Sequence, residues 1–146
     1  CVWKGVRMRY KFRGKRCDTG EWVVGFFHQV PKGGWMMPVK NSNVITTYKV
    51  LDNGEVVLTG AYEVIPESAG QWTGLVDMDM VEAYEKDVVD VYFQDGDVER
   101  AVLIWDARRF RYQLKSSERS LWGFDDTLRF KIVGNLIDSP ELMGVE

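Results

Sequence analysis

Histidine is nearly missing from this chain: His28 is the only one in 146 residues, and cysteine is limited to Cys1 and Cys17. Clustered zinc ligands and histidine-dependent nucleophilic catalysis are therefore not expected. One disulfide would add little to a chain able to bury a core, so both cysteines read as reduced thiols of a cytosol. Long apolar runs are absent as well. No stretch of about eighteen apolar residues occurs, and the amino-terminal stretch lacks the apolar heart of a signal peptide, so neither a membrane partner nor export is expected. Hydrophobic residues make up 45% and charged residues 28%, a composition of one ordinary domain or two small lobes.

Charge is unevenly spread. The net charge is −3, yet Lys4, Arg7, Arg9, Lys11, Arg13, Lys15 and Arg16 crowd the first seventeen residues without an acid. Such asymmetry marks a surface for nucleic acid or another partner, or two halves of one molecule that attract each other. As a strand, this segment sends Arg7, Arg9, Lys11, Arg13 and Lys15 to one face and Val6, Met8, Tyr10 and Phe12 to the other. Arg109, Arg111, Gln113 and Lys115 alternate in the same way with Phe110, Tyr112 and Leu114. Both patterns read first as half-buried strands with a solvated basic face. A basic face that tracks phosphates is the functional alternative, with Arg7, Arg9, Lys11 and Arg13 as its residues.

Turn residues punctuate the chain at short intervals and helical periodicity is nearly absent. Asp18-Thr19-Gly20 joins two strands, as does Asn53-Gly54, the strongest short hairpin signal. Pro31 to Ser42 reads as a loop, as does Glu67 to Gly74. Strands are expected over Val44 to Val50, Glu55 to Thr59, Ala61 to Ile65, Val88 to Phe93, Phe110 to Leu114 and Leu128 to Val133. Val98 to Trp105, apolar on both faces, belongs in the middle of a sheet. Ser116 to Gly123 is expected to hold one helical turn. The fold class is thus mainly β, in antiparallel hairpins with little helix.

Motifs for chemistry are few. Asp77, Asp79 and Glu82 form the best hard-cation candidate, although the spacing misses the glycine and third ligand of a calcium loop. Cys17 has only Lys15 and Arg16 near it and no base to activate it. His28 is expected to be packed among Trp22, Val24 and Phe26. No catalytic residue and no cofactor can be assigned, and neither a nucleophile elbow nor a phosphate-cradling glycine loop occurs. Trp35, Met36 and Met37, on a glycine-flanked loop, suit a protein interface, or the cap of an open barrel end.

Three stretches together resemble a known family. Phe12-Arg13-Gly14-Lys15-Arg16 with Asp18, Gly20, Glu21-Trp22-Val23 and Gly25 is similar to the opening hairpin of the YopX-like phage proteins. Tyr62 to Ser68 and Gly70 to Leu75 resemble their central signature, and Val133 to Leu136 with Ser139 to Leu142 their ending. The resemblance implies a phage or prophage protein in the bacterial host cytoplasm. It also implies a small barrel of the Src-homology-3 type over 62–146, with β hairpins over 1–61 packed on it. At Tyr84-Glu85-Lys86-Asp87, Lys86 stands where the family carries glycine, which bears on the turn there.

The resulting expectation is a non-enzymatic binding or adaptor protein. It would self-associate as a homo-oligomer and engage a host or phage protein through the Trp35 loop, or nucleic acid through the basic first strand. The rival readings are a magnesium-dependent nuclease or hydrolase using the acidic cluster, and a nucleotide or small-ligand binder acting against host defence.

Overall fold

The structure, a computed structural model, describes residues 11–33, 40–116, 121–123 and 128–144. Eleven strands and two short 3-10 turns account for its regular elements, and all of the strand pairs are antiparallel. No described helix is long and apolar enough to cross a membrane. The chain divides into two compact units, Cys1–Gln71 and Trp72–Glu146.

In the first unit, β1 (Lys11–Lys15) pairs with β2 (Trp22–Lys32), β2 with β3 (Lys40–Val50), and β3 with β4 (Val56–Glu63). The two turns follow from their glycines. Gly20 (φ +74°) closes the β1–β2 hairpin and Gly54 (φ +86°) the β3–β4 hairpin, both in the left-handed region that glycine enters without steric cost. A register shift at Thr47/Tyr48 lets β4 continue to Glu63 as one strand where two were expected. Strands β2 and β3 also extend to Lys32 and from Lys40, which shortens the expected Pro31–Ser42 loop from both ends. The core of this unit lies on the face carrying Phe12, Gly14, Phe27, Ile45 and Val64. Ile45 and Val64 are fully buried, and Phe12 meets Phe27 at 5.3 Å between ring centroids.

Glu67 to Gly74 is not the irregular stretch expected. After a single 3-10 turn at Pro66–Ser68, β5 (Gly70–Val76) forms, because Gly70 and Gln71 find ladder partners in β1. Such pairing outweighs the poor strand propensity of its glycines. Beyond Gln71, β5 pairs with β6 (Glu82–Tyr84), with a register shift that accommodates Gly74 at φ +89°.

The rest of the second unit is a five-stranded sheet ordered β10-β9-β8-β7-β11, built from β7 (Asp87–Tyr92), β8 (Val98–Asp106), β9 (Arg111–Ser116), β10 (Leu121–Gly123) and β11 (Arg129–Asn135). Strand β8 sits at its centre, as its two-sided apolar sequence predicts, with Ala101, Val102 and Leu103 all buried. Val89, Val91, Leu103, Leu114 and Phe130 form the core together with Ala83. The expected Src-homology-3-like barrel is not observed: among the described residues the sheet ends at β10 and β11, and no sheet closes on itself. Of the stretch Ser116–Gly123, Ser116 ends β9 and Leu121–Gly123 forms β10, which pairs with β9; residues 117–120, where the helical turn is expected, lie outside the described residues. Phe110, expected on an inward face, lies in the turn before β9 at φ +52° and is 82% exposed.

Candidate functional site

Residues that pair across an antiparallel ladder project from the same face of the sheet. In β1 and β2 the pairs are Lys11 with Phe26, Arg13 with Val24, and Lys15 with Trp22. The cations of β1 therefore share one surface with Trp22 and Phe26 of β2, opposite the Ile45–Val64 core that holds Phe27. Within β1 the cations do alternate with Phe12, as its sequence indicates. The neighbouring strand supplies the rings instead. The guanidinium of Arg13 lies 4.9 Å from the centroid of the Trp22 ring, a cation–π contact. Further along, Phe26 stacks on Tyr48 of β3 at 4.7 Å, and Leu58 of β4 pairs with Tyr48.

This face is half-open to solvent. Lys11, Arg13, Lys15, Trp22, Phe26 and Tyr48 are all half-buried, while Val24 and Leu58 are exposed. His28 belongs to the same face, as expected from its spacing, but it is exposed rather than packed. It lies toward the far end of β2, beyond the Phe26–Tyr48 stack. The hairpin turn brings a separate set of ionic contacts. Arg16 bonds Asp18 at 2.7 Å and lies 4.1 Å from the Tyr62 ring centroid. The hydrogen bond from Arg16 holds the Asp18 carboxyl below the usual carboxylate range.

The other predicted site residues are placed as follows. Arg7, Arg9, Trp35, Met36 and Met37 lie outside the described residues. Asp77 is buried, and its carboxylate accepts the backbone N–H groups of Asp79 (2.8 Å), Val81 (2.9 Å) and Ile132 (3.0 Å). Burial opposes its ionisation, but these donors and Lys131 outweigh that and lower its pKa. Asp79 faces Lys131 at 3.5 Å, and Glu82 accepts the Tyr84 hydroxyl at 3.1 Å. Among the described residues no three histidine, cysteine, aspartate or glutamate side chains converge in a way that could hold a metal ion. Cys17 is an exposed free thiol.

The shared cation and aromatic face was hidden from single-strand periodicity, which compares a residue only with its own strand. The signal that could have found it was the Asp18-Thr19-Gly20 turn. A hairpin closed there pairs Lys15 with Trp22, and that register puts the odd residues of β1 beside the even residues of β2.

The architecture is that of a two-unit antiparallel β protein displaying a mixed cationic and aromatic sheet face. The chain belongs to the YopX protein family, which it matches over residues 11–144. No curated protein matches the chain.

Proposed function

We propose that this chain is a phage- or prophage-encoded binding module that works in the bacterial cytoplasm as a homo-oligomer, without catalytic chemistry of its own. The partner that its amino-terminal sheet face suits best is single-stranded nucleic acid. The observation that carries this reading is the common face of Lys11, Arg13 and Lys15 with Trp22 and Phe26. Single strands are bound where cations neutralise phosphates beside rings on which bases stack, and the two must be neighbours on one surface. The same ring surface reads no particular base, so the expected recognition is tolerant of sequence.

The test is fluorescence polarisation with single-stranded DNA and RNA at low and at physiological salt, on the wild type and on K11E/R13E. Wild-type binding should weaken steeply with salt, with a log–log slope of about −0.7 per phosphate contacted. The double variant should lose most of the affinity, and K11E alone, which leaves the Arg13–Trp22 contact in place, should lose part of it. Absence of binding in the wild type, or binding unchanged in the variant, would refute the reading.

A further inference from the structure

A second positively charged region lies in the other unit, at the β8–β9 hairpin. We propose that the hollow beside this hairpin binds a phosphate-bearing anion of nucleotide size. The ladder pairs Asp106 with Arg111 and Ile104 with Gln113, and Lys115 follows Gln113 on the same side. These residues project from the sheet face opposite the Leu103–Leu114 core pair. Ile104, Ala107, Arg108, Gln113 and Lys115 line a hollow of about 390 Å³ with Asp106. A volume of about 300 Å³ or more suits a small ligand.

Charge decides what that ligand is. Asp106 is the acid at the hollow, and it is already fully engaged. It accepts the Arg109 guanidinium at 2.9 Å, the backbone N–H groups of Arg108 and Arg109, and the Gln113 amide. The hydrogen bond from Arg109 lowers its pKa and keeps it ionised, so one unit of negative charge is matched by one arginine. Arg108 and Lys115 remain at the rim, with Arg111 on the same face. Among the described residues none of these three forms an ion pair with an acid. Gln113 is 1% exposed, and its side chain is fixed by Asp106. Asp106 cannot neutralise the remaining cations without giving up Arg109. An incoming anion meets a net positive rim of exposed Arg108 and Lys115, and a phosphate offers several acceptor oxygens to a guanidinium and an ammonium at once.

Phosphate of this kind comes either from a free nucleotide or from a nucleic-acid backbone, and the experiment separates the two. Titration calorimetry on the full chain uses inorganic phosphate, a nucleoside triphosphate and a short oligonucleotide as probes. The variants are R108E/K115E, the milder R108Q and K115Q, and K11E/R13E from the first unit. The expected result is saturable triphosphate binding that weakens about tenfold or more in R108E/K115E and is unchanged in K11E/R13E. Oligonucleotide binding that weakens in R108E/K115E, while the triphosphate fails to saturate the wild type, would assign the hollow to a backbone phosphate instead. If the double variant fails to fold, the single glutamine variants carry the comparison, each with a smaller loss. The proposal falls if no probe saturates the wild type, or if triphosphate binding survives the removal of both cations. Because K11E/R13E reports on the other unit, failure here leaves the reading of the first unit standing, and the reverse also holds.

Discussion

The carboxylate of Asp77 accepts the backbone N–H of Ile132 at 3.0 Å, fifty-five residues further along the chain. The same side chain closes its own turn by accepting from Asp79 and Val81, and Met78 donates its N–H to the Phe130 carbonyl. Asp77 thus fastens the 77–81 turn to β11, whose ladder with β7 shifts register between Ile132 and Gly134. A carboxylate serving three backbone donors acts here as a structural acceptor.

Asp77→Ala should cost about 2–4 kcal/mol, since buried N–H groups lose a charged acceptor. Chemical denaturation measures it. The pKa of Asp77 is lowered in the folded state, so its contribution is present above the unfolded value of 3.8 and is lost as pH falls through the folded value. The variant should therefore show a flatter stability profile below about pH 4 than the wild type. Identical acid profiles would show that the carboxylate is not linked to folding.

Lys86 adopts φ +73° between β6 and β7, the left-handed region that disfavours a side chain. Its N–H bonds the Leu103 carbonyl, and the Asp87 carboxylate accepts the Tyr84 N–H, so the turn is held despite the strain. Lys86→Gly should raise stability by about 0.5–1 kcal/mol, the relief of strain exceeding the added freedom of the unfolded chain. A lower melting temperature in this variant would contradict that account.

Gly25 lies in β2 where β3 passes close by. A Cβ there would stand 2.8 Å from the carbonyl carbon of Thr46 and closer still to its oxygen. Backbone cannot yield as a side-chain tip does. Gly25→Ala should therefore destabilise by about 3 kcal/mol, at the upper end of overpacking costs. The prediction fails if the Gly25 variant unfolds at the wild-type denaturant midpoint.

Tyr112 pairs edge-on with Trp105 at 5.1 Å, and burial, aided by the charge of Glu85, raises its phenol pKa to about 12. A phenol that ionises later in the folded than in the unfolded state stabilises fully below pH 10 and less as pH rises toward 12. Ultraviolet titration of tyrosinate should show a late phase near pH 12 that Tyr112→Phe removes. A titration with the same late phase in the variant would assign it elsewhere.

Local chemistry was readable from the chain alone. Gly20 and Gly54 mark turns that the structure places at left-handed φ, because few other residues tolerate that conformation. The apolar run of β8 announced a central strand, since only burial on both faces suits it. The same sequence left β5 invisible. Gly70 and Gly74 carry no strand preference, and this segment became extended only because β1 and β6 offered ladder partners. Alternation puts Gln113 on a solvated basic face, yet it is buried with its amide on Asp106. Alternation assigns a residue to a face without saying whether that face is covered.

The β class, the hairpin turns and the alternation of cations with apolar residues are written in the chain, because those depend on a residue and its near neighbours. Tertiary structure alone decided which side chains meet. The pairing of Arg13 with the Trp22 ring and the engagement of Asp77 by Ile132 both follow from register between strands. Register is a relation between distant segments, and no single stretch of chain contains it.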